Sequence, residues 1–473
     1  MVKDDIYWGI RIMKWSKRIV SAFLILSMCM NLGMTAQATG VEETDEEEAY
    51  KKQLEEIHNM PVQSNKLENW PKGPGTYGEA AILMEAGTGA ILYAKNIEDK
   101  HFPASITKVL TALVAVENGE MTDPVKMSHE SVAFLQPGDS SIALKEGDEI
   151  NLEQALYATL LASANEAAYT VGENVGINAG HDYHWFIEQM NQKCKELGGV
   201  NSNFVNTNGL HDENHYTCAL DMGLIGCEIF KHPEIFEIMQ TQQYVIEESD
   251  TVEEHVFQQK HKMLLNGYQA YYEDAVGGKT GYTSDALSTL ITMADNEEMQ
   301  LVCVVLRTYG KNIYPDTTNL FEYGYDNFKK ISIDGLEKSE DVGEILTGQE
   351  GGYVVLPEGV EFTDLKMKLI PDDSNNGEAT LKYTYQEVPV GSARAKLSAS
   401  YLKQHSIQIE EPKEAKKETK QGMPKTTKII LVILCAVLLI LVVLFVRASI
   451  IRSRRRRRRR QRRAQMKQEK KSR

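Results

Sequence analysis

Cysteine is scarce in this sequence, with six in 473 residues. Cys29 lies in an apolar leader and Cys435 in an apolar run near the C-terminus, which leaves Cys194, Cys218, Cys227 and Cys303 for everything between. Four cysteines in so long a stretch exclude a disulfide-built scaffold, and none belongs to a C-x-x-C pair. The default reading is small buried hydrophobes, with the redox state left open. No H-E-x-x-H motif and no internal repeat occur either. Positive charge is what the middle of the chain lacks. The formal net charge is −15, yet Arg447–Arg473 carries fifteen basic residues against one glutamate, and the first 38 residues carry five against two acidic, so the stretch between holds −32. A segment that acidic excludes nucleic acid as its partner. With 42% hydrophobic and 25% charged residues the chain is globular, and its length suits two or three domains.

Two apolar stretches bracket the acidic middle. Lys14, Lys17 and Arg18 precede the run Ile19 to Met34, and Ala36-Gln37-Ala38 follows. That order reads as a secretory signal peptide over residues 1–38, cut after Ala38, with Met13 as the expected start codon; an uncleaved anchor is the alternative. Ile429 to Val446 is an unbroken apolar run, long enough to cross a bilayer, and Arg454 to Arg460 follow it closely. The positive-inside rule then predicts a single-pass protein of the cell membrane, its middle extracellular and its basic tail, 447–473, cytoplasmic.

Between these flanks, residues 39–72 are rich in Glu, Lys and Gln and read as an acidic, solvated linker. Ala80 to Met84 and Ala90 to Tyr93 flank Gly87-Thr88-Gly89 as a hairpin. A helix is expected from Ser105, with Val109, Leu110, Leu113, Val114 and Val116 on its apolar face, ending near Gly119. Asn151 and Gln154 form a capping pair for another helix. Leu287 to Met293 and Leu301 to Leu306 make a second hairpin, so residues 73–330 form a mixed domain of helices and flanking strands. Period-two alternation on both sides of Asn375-Asn376-Gly377 predicts a small all-β domain over 331–410. Residues 411–428 are a charged linker into the expected span at 429–446.

Three short motifs carry the chemistry: Ser105-Ile106-Thr107-Lys108 (S-x-x-K), Ser163-Ala164-Asn165 (S-x-N) and Lys279-Thr280-Gly281 (K-T-G). Ser105 at a helix start sits where unpaired N–H groups and the local dipole favour the negative charge of an acyl-transfer intermediate. Lys108, one turn on, can return its amine to the Ser105 hydroxyl. To act as a base it must be neutral part of the time, which requires burial or a nearby cation such as Lys279. Gly277, Gly278 and Gly281 let a backbone lie close to a bound peptide. Each motif has a plainer reading as a cap, a helix junction or a turn. Their order and contexts together point to a serine nucleophile.

The chain resembles the D-alanyl-D-alanine carboxypeptidases, the low-molecular-mass penicillin-binding proteins of serine type. The resemblance runs over roughly residues 75 to 330 and rests on Pro103 to Lys108, Leu161 to Ala168, Asn208-Gly209-Leu210 and Gly278 to Thr283. It implies an α+β catalytic domain of the serine β-lactamase/transpeptidase type, then a small all-β domain; the C-terminal transmembrane helix, read from the run Ile429 to Val446, departs from the many relatives that end in an amphipathic helix lying on the membrane. It further implies that Ser105 attacks the carbonyl of the penultimate D-Ala of a peptidoglycan stem pentapeptide while Lys108 takes its proton. Ser163 would relay a proton to the departing D-Ala, and Asn165 would hold the substrate backbone. Lys279 and Thr280 would bind the terminal carboxylate, with Gly281 beside them, and the N–H groups of Ser105 and Tyr282 would form the oxyanion hole. No cofactor or metal is implied, β-lactams are the expected inhibitors, and the oligomeric state is left open. Two departures stand out: Glu166 where the family commonly has Asp, and Gly277-Gly278 ahead of Lys279 where Asp-Gly and an aliphatic residue are common.

Four rivals remain. A class A β-lactamase would need an E-x-x-L-N motif, and only Glu188 to Asn191, E-x-x-N, comes near it. A D,D-endopeptidase on cross-links shares the chemistry. A zinc peptidase would use His181 with His184 or His211 with His215, but neither pair has a placeable third ligand. A catalytically silent binding protein would keep the fold alone.

Overall fold

The computed structural model describes residues 45–346, 352–372 and 376–405. The expected signal peptide (1–38), second linker (411–428), span (429–446) and tail (447–473) lie outside the described residues. Among the described residues no helix is long and apolar enough to cross a membrane.

In chain order the main elements are α1 (Asp45–His58), β1 (Gly78–Glu85), β2 (Ile91–Lys95), α2 (Thr107–Asn118), α3 (Asn165–Asn178), β3 (Ala275–Thr283), β4 (Leu287–Asp295), β5 (Gln300–Thr308) and α4 (Ile313–Asn327). The two expected hairpins join one five-stranded antiparallel sheet, ordered β2-β1-β5-β4-β3. Strands covered on both faces read as continuous apolar runs, and β5 shows why. Its Val302, Val304 and Leu306 face one apolar cluster, and its Leu301, Cys303 and Val305 the other. The first cluster includes most of α2, buried from Thr107 to Ala115. The second takes in Leu320 and Phe321 of α4. The Asn151–Gln154 capping box is present in full, with Gln154 N donating to Asn151 Oδ1 at 2.8 Å and Asn151 N to Gln154 Oε1 at 3.0 Å.

A six-stranded antiparallel sheet follows α4: β6 (Phe328–Ser332), β7 (Val342–Leu346), β8 (Tyr353–Pro357), β9 (Lys366–Pro371), β10 (Glu378–Tyr385) and β11 (Val388–Leu397). Its order is β6-β8-β11-β10-β9, with β7 also on β11. The buried carboxylate of Glu85 ties it to the larger domain: Oε1 accepts from Tyr353 Oη at 2.7 Å and lies 3.1 Å from Lys330 Nζ. Burial of that charge is tolerable because both partners are charge-assisted donors.

One expectation is corrected. Residues 45–72, read as part of a solvated linker, hold α1 and a packed segment. Ile57, Val62 and Trp70 are buried, and Trp70 Nε1 donates to Leu92 O at 3.1 Å. The buried Lys95 ammonium donates to Ile57 O (2.7 Å), Thr76 O (2.8 Å) and Gly78 O (2.9 Å), clamping the segment to β2. Most of the acidic residues of α1 face solvent, so composition averaged over the stretch conceals its few apolar anchors.

Candidate active site

Ser105 lies in the 3-10 turn Ala104–Ile106 that leads into α2. Ala104 just before it has φ 50°, a left-handed conformation that a non-glycine residue holds only when its surroundings impose it. They do. Thr289 Oγ1 donates to Pro103 O at 2.7 Å, and Thr107 Oγ1 donates to Ala104 O at 2.9 Å. Thr107 Oγ1 also lies 2.9 Å from Nε2 of the buried His215, whose Nδ1 accepts from Val205 N at 3.0 Å. With Nδ1 an acceptor, Nε2 carries the proton, and burial pushes the ring's pKa down to about 3. His215 is thus a neutral buttress with both ring nitrogens engaged, not a metal ligand. His181 stacks on Trp185, and His211 packs edge-on against Phe102. Among the described residues the group spaced to share an ion is Glu117, Glu228 and His232, where Lys193 Nζ already sits 2.7 Å from Glu117.

Lys108 is fully buried on α2. Its Nζ lies 3.1 Å from Ser105 Oγ, 2.7 Å from Asn165 Oδ1 and 2.6 Å from the carbonyl oxygen of Asn208. Burial above all, then the charge of Lys279, holds its pKa well below the usual lysine range. A neutral amine has two N–H bonds and one lone pair. Asn165 Oδ1 and Asn208 O can only accept, so they take both N–H groups and leave the lone pair facing the Ser105 hydroxyl. That is the arrangement a general base needs.

Ser163 closes a π-type turn, Ala158–Ala162, and stands at φ 62°. π-turns and left-handed non-glycine residues gather at functional sites because both re-aim a side chain against local preference. Asn165 then opens α3. Its N–H donates to Ser140 O at 2.8 Å, and the buried Glu166 accepts from Ser141 Oγ at 2.7 Å and Ile142 N at 2.8 Å. The Glu at the position of the common Asp thus grips the loop 136–142.

Lys279 is buried on the edge strand β3, and its Nζ donates to Thr280 O at 2.8 Å. Burial, with the charge of Lys260 second, pushes its pKa down to about 7. Gly281 is packed so tightly that a Cβ would run into Thr289 Oγ1 and come within 2.9 Å of the Ser105 nitrogen. Gly277 has its own neighbours, since a Cβ there would meet Phe236 at 2.8 Å and Met239 at 3.0 Å. Beside β3 opens a cavity of about 600 Å3, lined by Ser105, Ser163, Asn165, Thr280, Gly281 and Tyr282. Lys108 and Lys279 stand behind that lining. Tyr282, at the exposed edge of that lining, is among the most solvent-exposed large side chains of the domain.

Several contributors were absent from the sequence reading of the site: the Asn208 carbonyl, Thr289, His215, and the cavity residues Lys260, Asp139 and Ser140. Asn208-Gly209-Leu210 was visible as a pattern without a role. Its reason is now plain, because Gly209, at φ 82°, presses on the Ala104 carbonyl where any Cβ would collide. Glu188 of the E-x-x-N stretch is exposed on the helix Tyr183–Glu196 and does not line the cavity.

Comparison with known proteins agrees with this geometry. The family described as D-alanyl-D-alanine carboxypeptidase matches residues 69–309. The D-alanyl-D-alanine carboxypeptidase DacF of Bacillus subtilis is 28% identical over 316 residues, spanning 63% of this chain and 77% of its own. DacA of Haemophilus influenzae, of the same description, is 27% identical over 281 residues, spanning 57% of this chain and 67% of its own. Among solved structures, a DD-transpeptidase from Streptomyces superposes with a TM-score of 0.50 at 23% identity, over 54% of this chain and 100% of its own. That last likeness bears on the fold alone.

Proposed function

The chain belongs to the D-alanyl-D-alanine carboxypeptidase family and is a serine-type D-Ala-D-Ala carboxypeptidase; from that premise we propose how its residues remove the terminal D-Ala of peptidoglycan stem pentapeptides. Ser105 Oγ attacks the carbonyl carbon of the penultimate D-Ala as its proton passes to the Lys108 lone pair. The N–H groups of Ser105 and Tyr282 receive the developing oxyanion, each such donor contributing about 3 kcal/mol in comparable sites. Lys279 and Thr280 hold the terminal carboxylate, and Asn165 Nδ2 holds the substrate backbone while Oδ1 keeps Lys108 in place. Ser163 passes a proton to the departing D-Ala nitrogen, and water then cleaves the Ser105 ester. A β-lactam presents the same carboxylate and a strained amide, so it acylates the same serine.

The observation that carries this reading is the 3.1 Å approach of a fully buried amine to Ser105 Oγ with its other two positions taken. The test is to incubate the protein with fluorescent penicillin and with diacetyl-Lys-D-Ala-D-Ala, and to follow the adduct mass and released D-Ala. A stable adduct and D-Ala release, both lost in Ser105→Ala, are expected. Penicillin consumed without an adduct would make the protein a β-lactamase.

The acidic middle, the expected signal peptide and the apolar run Ile429 to Val446 with its arginine tail support an enzyme tethered to the cell membrane, its catalytic domain outside and the tail inside. Alkaline carbonate extraction tests the tether. The protein should stay with the membrane pellet, and release to the supernatant would remove the span.

A further inference from the structure

Four residues of the Ser105 cavity wall, Gly310, Lys311, Ile313 and Tyr314, lie between two points at which the N-terminal segment grips the chain. The first point is Tyr309, which follows β5. Gln53 Nε2 of α1 donates to Tyr309 Oη at 2.7 Å. Tyr50, three residues earlier on the same helix, packs edge-on against the Tyr309 ring with centroids 5.8 Å apart. The second point is Asp316 in the first turn of α4, whose Oδ2 accepts from Tyr77 N at 2.7 Å and Gly78 N at 3.0 Å. The gripping segment is itself anchored, because Ile57 of α1 is buried and its carbonyl takes a 2.7 Å bond from Lys95 Nζ.

The stretch between these grips depends on them. Arg307 and Gly310, on either side of Tyr309, are both left-handed, at φ 54° and 64°. A non-glycine residue keeps that conformation only where its surroundings impose it, and Arg307 Nε is held by Glu79 Oε1 at 3.0 Å. α4 begins after Asn312 with no side-chain cap, so its first N–H groups lack the usual local support. Ser288 Oγ reaches Gly310 O at 3.4 Å, a long bond. Ser105 and Lys108 are fixed by a separate set of bonds, through Thr107, Asn165 and Asn208. We propose that Tyr309 is a positioning residue, through which Gln53 and Tyr50 of α1 hold the 310–314 wall in place for the bound peptide. The inference rests on the carboxypeptidase reading above and gives the N-terminal helix a part in that site. A wall that meets the substrate away from the reacting atoms binds ground state and transition state alike. Loosening it therefore raises KM and leaves kcat unchanged.

The test uses the full-length protein in detergent with diacetyl-Lys-D-Ala-D-Ala as substrate. Wild type is compared with Gln53→Ala, Tyr309→Phe and the double variant. The two single changes delete the same bond from opposite ends, and the phenylalanine keeps a ring against Tyr50. Each should raise KM about threefold, the scale of one net hydrogen bond, while kcat holds at the wild-type value. The double variant should match the singles instead of multiplying them, because there is one bond to lose. The bond is exposed, so the melting temperature should barely move. Wild-type KM in both single variants, effects that multiply in the double variant, or a KM change that comes with loss of kcat and of melting temperature would each overturn the inference. All three outcomes leave the carboxypeptidase standing. Absence of D-Ala release from the peptide by the wild type takes both readings down together.

Discussion

Asn165 Oδ1 lies 2.7 Å from Lys108 Nζ, and because an amide oxygen only accepts, it fixes which part of the amine faces Ser105. The residue thus works through its neutrality as much as its position. Replacing it by Asp keeps the oxygen and adds a negative charge against a buried amine, which favours the ammonium form. Asn165→Asp should slow acylation by penicillin at neutral pH at least tenfold and recover part of the rate as pH rises. Stopped-flow acylation against pH reads this. A profile parallel to the wild type would leave Lys108 without the base role.

Gly281 and the Ser105 amide are in contact through space that a methyl group would fill. Gly281→Ala must push β3 away from the 3-10 turn carrying Ser105 and so spread the two N–H donors that receive the oxyanion. Loss of one such donor costs about 10²–10³ in rate, and a drop in kcat of that size is expected. The melting temperature should move far less than the rate, and a large loss of both would mark Gly281 as structural only.

Lys279 sets an upper pH limit. Burial and Lys260 hold its pKa near 7 in the free enzyme, and only its ammonium form attracts a carboxylate. As pH rises through about 7 that charge is lost, so kcat/KM for the peptide should fall on the alkaline side. On the acid side it falls as Lys108 becomes protonated. Lys260→Met removes the second cause of the Lys279 shift and should carry the alkaline limb upward. A limb that stays in place belongs to another group.

How much of this could be read beforehand depends on the kind of group. Ser105, Lys108, Ser163, Asn165 and Lys279 stand out because side-chain chemistry at fixed short spacing has few other uses. Four of the five strands of the larger sheet were visible as two hairpins, but neither the edge strand β3 nor the joining of the hairpins, set by β5 lying between β1 and β4, was. The Asn208 carbonyl left no trace, since a backbone acceptor can belong to any residue. His215 misled for the opposite reason: its spacing from His211 mimics a ligand pair, and only burial against Thr107 shows it to be a buttress. Lys260 and Asp139 are far apart in sequence and ordinary in type, so nothing but the fold shows that both line the cavity.

The correction at residues 45–72 yields the last prediction. Trp70 is buried against Phe328 and Tyr385, with ring centroids 5.1 and 5.9 Å away, and it hydrogen-bonds Leu92 O. One side chain therefore joins the N-terminal segment, β2 and the small β-domain. Trp70→Ala leaves a cavity at that junction and costs about 3 kcal/mol or more, as large-to-small changes in packed interiors do. If the segment were the solvated linker its composition suggests, the same change would cost nothing. Chemical denaturation should show the loss, and limited proteolysis should newly cut within 59–77. Penicillin acylation of the folded protein should persist, because Trp70 does not line the Ser105 cavity. A variant as stable and protease-resistant as the wild type would show that the other bonds to the segment, from Lys95 to Ile57 O, Ala94 N to Ser64 Oγ and Tyr323 Oη to Pro71 O, hold it without Trp70.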